Sequence, residues 1–329
     1  MAKNITLTGI KPTGIPHLGN YIGAIQPALQ EMNCDCYFFI ADYHAITTLK
    51  NKDLLKQYTY EVAASWLACG LDPDKVVFYK QSDIPELLEL YWILMCSAPK
   101  GLLNRAHAYK YLIDKNNLNH KKPDEGINMG IFSYPVLMAA DILLFQAKHV
   151  PVGKDQTQHI EIARDIAIKF NQEYKEFFCL PIAKVSNELD VPGIDGQKMS
   201  KSYDNTIPLF HNSKLQHKQI MKIKTDSKSI EDPKDFESCI IFKLYSQLAD
   251  KDQISMLKQK YINGGVGYGE IKKSLALLIK DKFKIANNIY NDYINHPEKL
   301  DEILKKGALK ARHQAQKNLH EIKKMIGII

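Results

Sequence analysis

Two short segments carry residue types suited to holding a phosphate chain. Residues 9–20 read GIKPTGIPHLGN and residues 198–202 read KMSKS. In the first, Gly14 and Gly19 let the backbone approach an anion closely, and the helix that follows offers unpaired N–H donors. His17 stands where it can donate to a phosphoryl oxygen as negative charge grows during attack on phosphorus. In the second, Lys198 and Lys201 are flexible point charges suited to a loop that closes on the pyrophosphate part of a nucleotide. Each segment alone has a plain reading, the first as a strand-turn-helix joint with incidental glycines and the second as a solvated basic turn. Together they point to activation of a carboxylate by a nucleotide. The sequence lacks GxxxxGK[ST], so a Walker-type kinase fits poorly.

These segments need elements to position them. Asn4 to Gly9 reads as a short buried strand, and a helix follows from about Gly19 to Glu31. Further strands are expected at Tyr37–Ala41 and Val76–Tyr79 and ending near Gly153, with helices at Leu54–Cys69 and Asp155–Phe170. Strands separated by helices of this length make a parallel sheet. Ser82-Asp83-Ile84-Pro85-Glu86 reads as a helix cap, and 104–129 as a polar insertion holding one helix and a mobile connection. Asn187 to Gln197 holds two glycines and a proline, which puts KMSKS on a loop. Beyond Tyr203 helices are expected at Phe236–Leu248, Tyr268–Asn291 and Pro297–Met325. The fold class is therefore α/β, a Rossmann-like parallel-sheet catalytic domain over 1–204 followed by an all-helical domain over 205–329 whose final helices have the option of packing back on the catalytic domain.

The whole chain is compatible with that plan. Its 329 residues are 45% hydrophobic and 25% charged, enough for a sizeable core. Lys and Arg outnumber Asp and Glu by 44 to 37, a formal +7 that suits a polyanionic partner or ordinary solubility equally. The cysteines Cys34, Cys36, Cys69, Cys96, Cys179 and Cys239 form no CxxC, which disfavours a disulfide frame or structural zinc. The N-terminus lacks the apolar stretch of a signal peptide, and no run of roughly 18 apolar residues follows. A cytoplasmic protein without a membrane partner is expected.

The residues also carry a family likeness. Pro16-His17-Leu18-Gly19-Asn20 matches the HIGH signature with Asn20 at the second histidine, the KMSKS signature is complete, and the likeness runs on through YPVLMAADILLF at 134–145 and VPVGKDQTQHIEIARDIAIKF at 150–170. On these residues the chain resembles the class I aminoacyl-tRNA synthetases, and within them the bacterial-type tryptophanyl enzymes. The resemblance covers essentially the whole chain. It implies attack of the tryptophan carboxylate on ATP, release of pyrophosphate, and transfer of tryptophan to tRNA(Trp). It also implies a homodimer, magnesium arriving with ATP, and no tightly bound organic cofactor.

Site residues follow from the same resemblance. It puts His17, Lys198 and Lys201 in catalysis, and Lys11, Pro12, Thr13, Gly19, Asn20, Gly153, Lys154, Asp155 and Val191 with ATP, together with Met199, Ser200 and Ser202 of the lysine loop. Asp155 is either a ribose contact or the N-cap of the next helix, or both. Tryptophan falls to Leu7, Gly9, His44, Met138, Asp141, Val150, Val152 and Gln156. Asp141 interrupts an apolar helix, where a carboxylate needs a donor; the indole N–H is one, and a neighbouring helix end or loop is another. Met138 shares its face. His44 and Gln156 either orient the amino-acid backbone of the substrate or are satisfied polar residues. Leu7 stands where the family often has an aromatic residue, and Lys11 where it commonly has a neutral glutamine. A tyrosyl enzyme of the same class and a non-catalytic RNA-binding relative are the alternatives. The lysines of the C-terminal helices, Lys310 and Arg312 among them, suit RNA phosphate or simply a solvated face.

Overall fold

The computed structural model describes residues 4–33, 35–185, 191–210 and 213–329. Strands β1 (Thr6–Ile10), β2 (Cys36–Ile40), β3 (Val77–Lys80), β4 (His149–Val152) and β5 (Ile182–Val185) form one parallel sheet in the order β3-β2-β1-β4-β5. Side chains alternate across a strand, so β2 sends Phe38 and Ile40 to one face and Tyr37 and Phe39 to the other. Both faces are buried, as a parallel sheet requires.

On the first face, α1 (Lys52–Ala68) brings Trp66 against Phe38 with ring centres 5.0 Å apart. The second face is covered by α2 (Pro85–Ser97), α4 (Met129–Leu144) and α5 (Thr157–Glu173). Between α2 and α4 lies α3 (His107–Leu118), the helix expected within the polar insertion. The connection after it is not loose: Asn116 donates to the carbonyls of Pro123 and Glu125, and Tyr109 to Asp124.

The helical final third comprises α6 (Ser213–Met221), α7 (Ile240–Ser246), α8 (Lys251–Asn263), α9 (Tyr268–Lys282), α10 (Lys284–Asn295) and α11 (Pro297–Met325). Helix α11 crosses β3 so closely that a Cβ at Gly307 would lie 1.8 Å from the Phe78 carbonyl oxygen. Arg312 of α11 grips Glu86 of α2 with Nη2–Oε1 at 2.8 Å, and Asn318 caps the Leu144 carbonyl at 2.7 Å. Among the described residues no helix is long and apolar enough to cross a membrane.

Several expectations change. Ser82 does not cap α2: its backbone N–H and hydroxyl both go to Asp42, and Ile84 precedes the helix with Pro85 in its first turn. Asp155 is not an N-cap either, since α5 begins at Thr157 after a 3-10 turn, Lys154–Gln156. The expected helix over 268–291 breaks at Phe283, a buried ring packed edge-on against Tyr21. Helix α8 is not among the expected helices, although Asp250 and Gln253 cap each other at its start. Strand β5 is not among the expected strands: Ile182 and Val185 are about half exposed on the sheet edge and leave little hydrophobic trace. Of the connection before KMSKS, residues 187–190 lie outside the described residues.

Candidate active site

The strand order reverses at β1, which has β2 on one side and β4 on the other. In such sheets a crevice opens beyond the carboxyl ends of the strands at that point. Two cavities occupy it, one of about 720 Å³ and one of about 460 Å³.

The larger cavity is bounded by both phosphate loops. Lys11, Thr13, His17 and Asn20 from the first face Lys198, Met199, Ser200, Lys201 and Ser202 from the second, with Asp155 beside them. The loops are physically clasped. The Gly19 N–H donates to Met199 Sδ at 3.2 Å, and the Lys201 side chain lies over Gly14, where a Cβ would come within 2.9 Å of Lys201 Cδ. Gly14 also has φ +142°, a conformation that strains other residues. Leu18 N–H donates to Ile207 and Leu209 N–H to Pro16, tying the first loop to the chain just past the second.

Asn20 serves the loop itself, its Oδ1 accepting the His17 backbone N–H at 3.1 Å. His17 is buried, and its Nδ1 has no partner among the described residues. Burial, with help from Lys201, holds the imidazole down to about 4, so it is neutral at pH 7. Lys201 is solvent-exposed as a residue, yet its ammonium is shielded enough to be lowered to about 8, with Glu61 opposing the shift. It therefore remains mostly charged near neutrality. Asn205, buried and absent from the sequence reading, holds the lysine loop in shape. It accepts from Ser200 N–H at 2.8 Å and donates to Asp195 and the Lys198 carbonyl.

The smaller cavity is lined by Leu7, Gly9, His44, Met138, Asp141, Val150, Val152 and Gln156, the residues assigned to tryptophan from sequence. Gly9 is needed there because the Phe39 ring fills the space of a Cβ, 2.4 Å away. Asp141 is 2% exposed. Burial raises its pKa, resisted by donors on both oxygens: His44 Nε2 at 2.9 Å from Oδ2, and Gln81 Nε2 at 2.9 Å from Oδ1 and from Oδ2. The acid is thus already held by the protein, and a ligand N–H would be an additional donor. Tyr134 also lines this cavity and hydrogen-bonds His159 at 2.5 Å. Its signal was present in the sequence, four residues before Met138 and seven before Asp141 on one helix face. Gln81 had only its place just past a strand end to mark it.

Not every assignment converges. Pro12, Gly19, Lys154 and Val191 do not line the larger cavity, and Gly153 lines the smaller one instead. The Val191 carbonyl is taken by Met199 N–H at 2.8 Å, and the Lys154 carbonyl by the Thr157 hydroxyl. Lys11 lines both cavities, its Nζ 3.3 Å from Thr47 Oγ1 and its pKa lowered by burial.

A parallel sheet with its switch point at β1, a histidine-glycine loop there and a KMSKS loop clasped to it define a class I aminoacyl-tRNA synthetase. The model of class I tRNA synthetases for tryptophan and tyrosine matches residues 2–284. The chain is 45% identical over 333 residues to the tryptophan–tRNA ligase of Neisseria meningitidis, covering all of this chain and 99% of that one. It is 48% identical over 325 residues to the ligase of Campylobacter jejuni, covering 98% and 99%. The solved structure of the Campylobacter jejuni enzyme complexed with ADP and tryptophan superposes with TM-score 0.89 at 48% identity, covering 98% and 99%. The chain belongs to the tryptophan–tRNA ligase family, and its reaction is the joining of tryptophan to tRNA.

Proposed function

We propose that the smaller cavity takes tryptophan and the larger one ATP with its magnesium, the reaction occurring where they meet. The observation that carries this reading is Lys11, which among the described residues alone belongs to both walls. A carboxylate oxygen of tryptophan attacks the α-phosphorus, the bond to the bridging oxygen breaks, and pyrophosphate leaves. No side chain becomes covalently attached. Neutral His17 donates to an α-phosphate oxygen, Lys198 and Lys201 accompany the leaving group, and Lys11 offsets repulsion between the two reacting anions. Asp155 faces the ribose, and Asp141 accepts the indole N–H among Met138, Val150 and Val152. The ADP and tryptophan bound by the Campylobacter jejuni relative support this division. Tryptophan-dependent exchange of pyrophosphate into ATP tests it, and equal exchange with tyrosine would defeat the specificity assignment.

In the second step tryptophan passes to the terminal adenosine of tRNA(Trp). Residues 1–204 serve activation and 205–329 the anticodon region of the RNA. Arg312, considered from sequence as an RNA contact, is committed to Glu86. A better candidate is a groove of about 400 Å³ bordered by Lys280, Lys284, Asn287, Asn288 and Asn291 with no carboxylate on its wall. Cations and amides beside Phe283 suit phosphates and unpaired bases. Charge reversal at Lys280 and Lys284 should lower tRNA affinity and flatten its salt dependence while pyrophosphate exchange persists. Exposed Leu88, Trp92 and Cys96, spaced four apart along α2, support a homodimer through that face. Charging of tRNA assigns the work of the protein to the cytoplasm.

A further inference from the structure

We propose that Gln81 is a positioning residue that makes Asp141 a selective acceptor for the indole N–H. The inference rests on the tryptophan reading of the smaller cavity. Gln81 is fully buried in the turn Gln81–Asp83 after β3 and does not line the cavity, so it acts through Asp141.

Its amide has only one workable orientation. The side-chain oxygen of Gln81 accepts the backbone N–H of His44 at 3.3 Å. A backbone N–H cannot become an acceptor, so the amide cannot turn over without facing donor to donor. The NH₂ group is thereby aimed at Asp141, where it straddles the carboxylate with 2.9 Å to each oxygen. An NH₂ group only donates. It therefore demands acceptors at both oxygens and opposes rotation of the carboxyl plane. His44 adds a contact to Oδ2. Oδ2 thus has two protein donors and Oδ1 one, which leaves Oδ1 the greater capacity for a further N–H from the ligand.

The consequence is selectivity. A site built to receive a ligand hydrogen bond rejects an analogue lacking it by orders of magnitude, whereas apolar walls separate near-isosteres weakly. Without Gln81 the carboxyl group is free to turn or to hold a proton, and that rejection weakens.

The experiment measures pyrophosphate exchange by the full-length protein with tryptophan and with β-(3-benzothienyl)alanine, whose ring sulfur replaces the N–H. Gln81→Met keeps the length and removes the amide, and Gln81→Glu keeps the shape but meets Asp141 with a second acid. Both should raise KM for tryptophan more than they lower kcat, leave KM for ATP near the parent value, and reduce the preference for tryptophan over the analogue about tenfold or more. A folded variant that keeps the parental preference while KM rises overturns the proposal, because Gln81 then only packs. Should Gln81→Met fail to fold, Gln81→Glu alone decides by the same ratio. A parent enzyme without preference between the ligands would instead refute the tryptophan reading, and the proposal with it.

Discussion

Replacing Lys11 with glutamine tests the junction between the cavities. The ammonium borders both, so on the proposed division of the cavities a carboxylate in one and an α-phosphate in the other approach it together. Opposite unit charges about 4 Å apart gain roughly 4 kcal/mol at an effective dielectric of about 20 and roughly 1 kcal/mol in water. Lys11 is exposed as a residue, although burial of the ammonium lowers its pKa. An intermediate value of about 2 kcal/mol is appropriate, equivalent to about a 30-fold slower step. Rapid-quench measurement of adenylate formation at saturating ATP and tryptophan should show that loss in Lys11→Gln. Lys11→Arg should recover most of it. Because a lowered lysine pKa means charge is lost earlier as pH rises, the parent rate should decline on the alkaline side, and Lys11→Arg should remove that part of the decline. Adenylate formation at the parental rate in Lys11→Gln would refute the electrostatic argument, since the reacting anions would then meet without this cation.

The remaining predictions concern the scaffold. Gly307→Ala should destabilise the protein by about 3 kcal/mol or more, because the new methyl meets the Phe78 backbone and neither partner is a flexible side-chain tip; hydrogen exchange should show α11 loosening first, and parental protection would contradict the packing. Arg312→Ala should cost about 1–3 kcal/mol in urea unfolding by leaving buried Glu86 without its forked partner, with tRNA affinity at the parental level. The imidazoles of His17 and His159 are both held down to about 4, mainly by burial. The unfolded chain protonates them from about pH 6.5 while the folded chain does not, so stability present above pH 6.5 should fall as pH drops towards 4, by about 3 kcal/mol for each imidazole. Urea titrations of His17→Asn at these two pH values should show a smaller fall than the parent, and an equal fall would remove His17 from the linkage.

Local chemistry was open to reading because it recurs at short range. The spacing of Met138 and Asp141 places them on one helix face, and glycines in the first loop mark a close backbone path. Alternating burial of β2 follows from the two-residue period of a strand. The class I signatures carried their chemistry with them. Where local signals conflicted, as at Ser82, a tertiary partner decided: Asp42 took the hydroxyl and the backbone N–H that a helix cap would have used.

Tertiary structure alone decided how the two halves of each site meet. Gln81 reaches Asp141 across 60 positions, His44 reaches it across 97, and Gly19 meets Met199 across 180. None of these pairs has a period in the sequence, since each depends on the order of the strands and the loops that leave them. The same holds for Arg312, whose charge suggested RNA until the path of α11 set it on Glu86, 226 positions away. Residue type and spacing determined which chemistry this chain had available. Strand order determined which groups stood close enough to share a proton, a charge or a ligand, because hydrogen bonds and Coulomb forces act over ångströms in space and are indifferent to separation along the chain.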